Sequence, residues 1–221
     1  MVNIENYVAD IVTALKDRFV ERLIYVGLQG SYLRGEANDE SDIDIMCILD
    51  GLNVSDLRSY RAIVDSMPHA DKSCGFICSA EDMKHWNPLE ILHLLHSTGD
   101  RYGSLACLVP AYTAEDVRNF VKMSINNMYH ELCHRYIHGN VRNTCDALPG
   151  IFKGVFFILQ NKHYLSSGDF VRTKTQLLEQ LEGLDYEVMK TSMDMKKGCV
   201  SDFEESFRLL FTWCQRTLHA L

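Results

Sequence analysis

One short stretch carries residue types at a spacing suited to metal–phosphate chemistry. Gly30-Ser31 is followed, after ten intervening residues, by Asp42-Ile-Asp44. On a strand, alternate side chains share a face, so Asp42 and Asp44 would lie side by side, roughly 6–7 Å apart. Ile43 and Ile45 would then point into a core. Two neighbouring carboxylates repel unless a cation lies between them. Their hard oxygen donors suit Mg²⁺, which keeps waters and draws further ligands from substrate phosphates. Gly30 allows backbone to come close to a ligand, and Ser31 offers a hydroxyl and an amide in the same turn. A D-x-D or a G-S alone is common on exposed surfaces; the chemistry is carried by their combination.

Those residues need a strand on each side of the turn. Leu23-Ile-Tyr-Val26 reads as a buried strand running into Gly27 and Gly30, and Asp42–Leu49 as a second. Ile4, Tyr7, Val8, Ile11, Val12, Leu15 and Phe19 recur at helical spacing, which predicts an amphipathic helix over 3–20. A helix marked by Leu57, Tyr60, Val64 and Met67 follows the second strand, with Ser55 as its N-cap. Ser73–Cys78 is a third strand, and Ser79-Ala-Glu-Asp82 caps a short helix. Two helical patches come next, and Gly99-Asp100 and Tyr102-Gly103 read as turns.

The pattern becomes wholly helical from Thr113. Thr113-Ala-Glu-Asp116 caps a helix running toward His138, which Gly139-Asn140 ends. Further helices are expected over 147–164 and over Thr173–Leu184. A last one opens at Ser201-Asp-Phe-Glu204, with Phe203, Phe207, Leu210, Phe211 and Cys214 on its core face. The expected fold is α+β: a small mixed-sheet domain over residues 1–110, then an all-helical bundle over 111–221.

The stretch from Gly30 to Asp44, with Arg34-Gly35 in the turn, Ser41 before the first acid and apolar strands on both sides, resembles the signature of DNA polymerase β-like nucleotidyltransferases. The resemblance implies that Asp42 and Asp44 hold Mg²⁺ and serve catalysis. It implies that Gly30 and Ser31 bind the nucleotide's phosphates, with Arg34 and Ser41 as weaker nucleotide contacts. The implied reaction moves a nucleoside monophosphate to a hydroxyl and releases pyrophosphate. A helical half after such a domain is similar to the aminoglycoside adenylyltransferases. Asp100-Arg-Tyr-Gly-Ser-Leu105 resembles their segment leading into the bundle. Gly154–Tyr164, with Phe170 and Lys174, resembles their bundle helices. That likeness implies a lysine reaching the triphosphate, with Lys153 the candidate and Lys162 the alternative, and an acceptor held between the halves.

Members of this family place a third acid on the next strand. Aligned by eye, its position falls at Gly75, and the strand Ser73–Ser79 has no carboxylate. Asp71 precedes it; Glu81 and Asp82 follow. The hydroxyl would then need another base, for which Glu131, Asp146 and several histidines are available. Nucleotide binding without turnover is the rival expectation, and protein adenylylation of the antitoxin type a further one. The helical half is also similar to the HEPN class, but Arg135 and His138 stand too close for its ribonuclease motif.

Composition narrows the partners. A net charge of −8 over 221 residues argues against a broad nucleic-acid-binding face. No apolar run is long enough to span a bilayer, and the start lacks the features of a signal peptide. The eight cysteines form no C-x-x-C pair and read as reduced, mostly buried thiols of a cytoplasmic protein, with Cys74 and Cys78 packing on one strand face. His130, His134 and His138 share a helix face beside Cys133 and read as an aligned polar face rather than a metal site. The expected partners are a nucleoside triphosphate, ATP by default, and a hydroxylated acceptor. A homodimer is compatible with the chain; a membrane or nucleic acid is not expected.

Overall fold

The computed structural model describes residues 2–139, 141–196 and 202–221. The chain divides into two compact units, Met1–Tyr112 and Thr113–Leu221. In the first, helix α1 (Ile4–Phe19) is capped by Asn3 and buries Tyr7, Val8, Ile11, Leu15 and Phe19. This is the face its apolar spacing predicts. Strand β1 (Leu23–Leu28), the short helix α2 (Gly30–Arg34) and strand β2 (Ile43–Leu49) follow. After them come α3 (Val54–Ser66), β3 (Ser73–Ser79), α4 (Ala80–Lys84), α5 (Pro88–His96) and β4 (Gly99–Tyr102).

The sheet order is β3-β2-β1-β4. β1 is antiparallel to both β2 and β4, while β2 and β3 run parallel. The sheet is mixed because the link from β2 to β3 crosses over through α3, whereas the other neighbours pair antiparallel. Both faces of β2 are covered, which is why it reads as a near-continuous apolar run. Ile43, Ile45, Cys47 and Leu49 pack with α1 and α3. Met46 and Ile48 pack with Tyr25, Met83, Ile91 and Leu94 on the other face. Asp44 shares the parity of Met46 and Ile48, so it belongs to that second face.

Two local readings are corrected here. Asn53, not Ser55, caps α3: its Oδ1 accepts from the amides of Ser55 at 2.9 Å and Asp56 at 3.2 Å. Asp56 answers by accepting from the Asn53 amide at 3.0 Å, so the reciprocal box starts the helix earlier. Gly99–Tyr102 is an edge strand rather than a pair of turns. The Tyr25 hydroxyl, fully buried, donates to Asp100 at 2.7 Å and fastens that strand to the sheet.

In the second unit α6 (Ala114–His138) begins at a capping box in which Thr113 and Asp116 bond each other's backbone amides. α7 (Val141–Ser167) extends beyond the expected 147–164 and continues through Pro149. α8 (Lys174–Leu178), α9 (Gly183–Lys196) and α10 (Phe203–Ala220) complete the bundle. The single helix expected over Thr173–Leu184 is two. The chain turns after Leu178, and the inward apolar residues Leu177, Leu181 and Leu184 belong to three successive pieces around that turn. Asp202 caps α10 through the Glu204 amide at 3.0 Å, and Asn140, Cys199 and Ser201 lie outside the described residues. The core centres on Phe152, Phe156, Leu159, Leu210 and Trp213. Cys214 and Leu210 are buried as expected on α10. Phe203, Phe207 and Phe211 flank that face as a row of rings, with centroids 6.0 and 6.1 Å apart.

The fold is thus a small mixed-sheet α/β domain followed by an all-helical bundle. No described helix is long and apolar enough to cross a membrane.

Candidate active site

The site is built where β1 ends against β2. The Gln29 amide donates to the Asp44 carbonyl at 2.9 Å, which carries the ladder one residue past β1. The Gln29 side chain turns away, donating to Thr98 Oγ1 at 2.8 Å, so no side chain caps the start of α2. Gly30 adopts φ +67°, and a β-carbon there would lie 1.9 Å from Asp44 Oδ2. Only glycine meets both conditions. The turn therefore lays its backbone directly on the Asp44 carboxylate, and Ser31 is the next residue of the same turn.

Asp42 and Asp44 differ in setting. Asp42 precedes the strand by one residue and is exposed, whereas Asp44 is half-buried. Burial pushes the Asp44 carboxyl above the usual carboxylate range. The Cys74 thiol opposes that, the Asp42 charge adds to it, and the Arg34 charge opposes it. A carboxylate kept half-desolvated beside another acid favours a cation nearby.

The loop between turn and acids is tied down. Arg34 pairs with Glu36 at 2.9 Å, and both side chains are largely covered. Ser41 accepts from the Asn38 amide at 2.9 Å and closes the turn before Asp42. Lys72, ahead of β3, donates to the Asp39 carbonyl. Arg34 and Ser41 thus shape the loop that delivers Asp42 to its place.

The parallel register corrects the position opposite the acids. Gly75 pairs with Ile45, and Asp44 pairs with Cys74. Ile45 faces α1 and α3, so Gly75 is out of step with the site face. Gly75 also has φ +115°, and a β-carbon there would meet the Ile45 carbonyl at 2.0 Å. The residue beside Asp44 is therefore Cys74. Cys74 is exposed rather than packed, and so is Cys107; among the described cysteines only Cys47, Cys78 and Cys214 are buried. The reading of mostly buried thiols is corrected accordingly. Cys74 was legible as a residue of β3; its partnership with Asp44 needed the register.

The flanking acids do not supply the missing carboxylate. Glu81 pairs with Lys84 at 3.2 Å on α4, and Asp82 caps that helix through Ser79. His93, on α5 over the same sheet face, is pushed down to about 4 by burial, then by the charges of Arg34 and His96.

The second unit holds the other candidates. Lys153 is exposed on α7. Lys162 donates two bonds to Asp185, at 2.9 and 2.7 Å, and the Trp213 indole donates to the same carboxylate at 2.7 Å. Glu131 is engaged by Arg135 at 2.9 Å, and Asp146 is exposed. His130, His134 and His138 form an exposed row, with ring centroids 6.0 and 5.0 Å apart. Among the described residues, no three His, Cys, Asp or Glu side chains are grouped to hold a metal ion. Asp42 and Asp44 together offer a hard oxygen pair, which fits Mg²⁺ when phosphates and water complete the shell.

Residues 8–66 match the family model of the nucleotidyltransferase domain. That match lies within the first unit. The match spans most of α1, then β1, the Gly30-Ser31 turn, both acids and α3. No curated protein matches the chain. Among solved structures, the chain is similar to the spectinomycin adenyltransferase AAD(9) from Enterococcus faecialis, solved with ATP and spectinomycin. Identity is 13%, the TM-score is 0.62, and the alignment covers 98% of this chain and 100% of that one. That likeness is one of fold across both units. A toxin–antitoxin chain solved with AMP-PNP aligns at 20% identity over 59% of this chain and 93% of its own, with a TM-score of 0.34.

Proposed function

We propose that the protein is a Mg²⁺-dependent nucleotidyltransferase that moves a nucleoside monophosphate, AMP from ATP, to a hydroxyl of a small molecule. The observation that carries this reading is the contact of the Gly30 backbone with the Asp44 carboxylate, inside a segment that matches the nucleotidyltransferase domain. Asp42 and Asp44 would hold the cation, which supplies charge neutralisation to the triphosphate. Gly30 and Ser31 would bind its outer phosphates through backbone and hydroxyl donors. Arg34, Ser41 and Lys72 keep the intervening loop in the form that presents Asp42. Lys153 remains the candidate for a triphosphate contact from the helical unit. The ATP and spectinomycin in the similar AAD(9) structure support ATP as donor and a hydroxylated small molecule as acceptor.

The second reading is a nucleotide-binding protein without turnover. It is favoured by the thiol that stands beside Asp44 where a base would be useful, and by the absence of any carboxylate on β3. A Mg²⁺–ATP titration of wild type against the double variant Asp42→Ala/Asp44→Ala tests the site. Equal binding by the two proteins rejects it. Pyrophosphate release across aminoglycosides, lincosamides, nucleotides and proteins separates the two readings. Release with any acceptor, lost in the double variant, establishes turnover.

A further inference from the structure

The end of α7 faces the turn after α8 and the start of α9 across a cavity of about 300 Å³. Every wall residue belongs to the helical unit, and none is shared with the Gly30–Asp44 site. The volume is at the lower end of the range that encloses small ligands. One wall carries the ion pair of Lys162 and Asp185, whose side chains are 32% and 24% exposed, so a ligand in the cavity reaches both. The buried Trp213 indole donates to the same carboxylate at 2.7 Å and holds the pair in place. Two protons of the Lys162 ammonium go to Asp185, which leaves the third for a ligand oxygen. Ser166 donates its proton to the His163 carbonyl at 2.9 Å and keeps lone pairs with which to accept. Nε2 of His163, another wall residue, is buried without a hydrogen-bond partner among the described residues. Leu159 and Leu181 give the cavity an apolar side.

The charges select the ligand. Lys162 and Asp185 neutralise each other, and the exposed Glu182 leaves the walls net negative. An anion would meet that carboxylate and find the lysine already paired. We propose that the cavity is a binding site for a small organic cation, a single-ring or short-chain amine that carries hydroxyls. Its ammonium pairs with Glu182, its hydroxyls bond Lys162 and Ser166, and its carbon skeleton lies on Leu159 and Leu181. The inference goes beyond the nucleotide reading and does not rest on it, so either can fail alone.

The test titrates the full chain with D-glucosamine and follows backbone amide shifts by nuclear magnetic resonance. D-glucose serves as the uncharged probe and glucose 6-phosphate as the anionic one. Glucosamine should bind with a dissociation constant on the order of 1 mM, as ligand efficiency sets for a molecule of about a dozen heavy atoms. The shifts should centre on residues 159–166 and 180–185. Glucose and Glu182→Gln should each weaken binding about threefold, the worth of a partly exposed ion pair. Ser166→Phe should fill the cavity and abolish binding. Ser166 and Glu182 are both exposed, so neither change disturbs the bundle interior. Absence of saturable shifts at about ten times that concentration, or shifts centred elsewhere, overturns the site. Wild-type affinity in Ser166→Phe overturns it as well. Equal or tighter binding of glucose or of glucose 6-phosphate overturns the cationic class, and so does unchanged affinity in Glu182→Gln.

Discussion

Gly30 and Asp44 occupy one another's space: a β-carbon on the glycine would lie 1.9 Å from Asp44 Oδ2 and 2.8 Å from its Cγ. The turn and the acid are therefore one device, since neither can change without displacing the other. Gly30→Ala must strain a left-handed backbone position by about 1–2 kcal/mol and must also rotate Asp44 away. The expected outcome is a folded protein with a lowered melting temperature and at least tenfold weaker Mg²⁺–ATP binding. Calorimetric melting and titration on the same sample check both.

Asp44 itself destabilises the metal-free protein. Its folded-state pKa is raised by burial, so the folded chain holds the proton more tightly than the unfolded chain does. Stability then falls as the pH rises from the ordinary carboxylate value through the raised one. Above that window the whole penalty is present. Asp44→Asn should raise the melting temperature without metal at pH 7 and abolish the stabilisation that Mg²⁺–ATP gives wild type. Melting curves with and without Mg²⁺–ATP read both effects.

His93 gives a pH response of opposite direction. Its imidazole is pushed down to about 4 from its ordinary 6.5, chiefly by burial. The unfolded chain takes up a proton below about 6.5 and the folded chain does not until about 4. Stability contributed by neutral His93 is thus complete above pH 6.5 and is lost as the pH falls toward 4, by roughly 3 kcal/mol. His93→Gln should flatten the denaturation profile between pH 7 and 4.5, measured by urea midpoints.

Restoring an acid on β3 must use the right position. Gly75→Asp should fail, because its β-carbon meets the Ile45 backbone at 2.0 Å and φ is +115°. A loss of about 2 kcal/mol or more is expected. Cys74 is exposed, so Cys74→Asp should leave the protein folded. Circular dichroism melts of the two variants decide between the positions.

In the helical unit, Asp185 joins Lys162 to Trp213, whose side chain is 1% exposed. Asp185→Ala leaves a buried indole N–H without its acceptor and a lysine without its counter-charge. It should cost about 2–3 kcal/mol. Lys162→Met should cost less, because the Trp213 bond survives. Urea denaturation of both variants gives the order.

Much of the fold is legible in local chemistry. The apolar spacing of α1, the capping boxes at Ser79 and Thr113, and the doubly covered run of β2 each depend on neighbours within a few residues. Ser55 and Asn53 are both good caps two residues apart, and the reciprocal bond from the Asn53 amide to Asp56 decides for Asn53. β4 was misread because four residues with a glycine at the start resemble a turn until a strand is present to pair with them. The helix expected over Thr173–Leu184 runs past the end of α8 and stops where α9 begins, because leucines on either side of the turn keep a helical spacing while α9 itself carries little apolar periodicity.

The sequence alone determined the parts of the candidate site that follow one another along the chain. Gly30-Ser31, the loop and Asp42-Ile-Asp44 are contiguous, so their spacing reveals a turn feeding an acidic strand. What lies beside Asp44 was decided by tertiary structure. A one-residue difference in register exchanges the two faces of a strand, and the pairing of β2 with β3 put Cys74 in the place first read as Gly75. Local periodicity does not encode which residue of a distant parallel strand stands opposite, because that alignment is set by how α3 packs the crossover against the sheet.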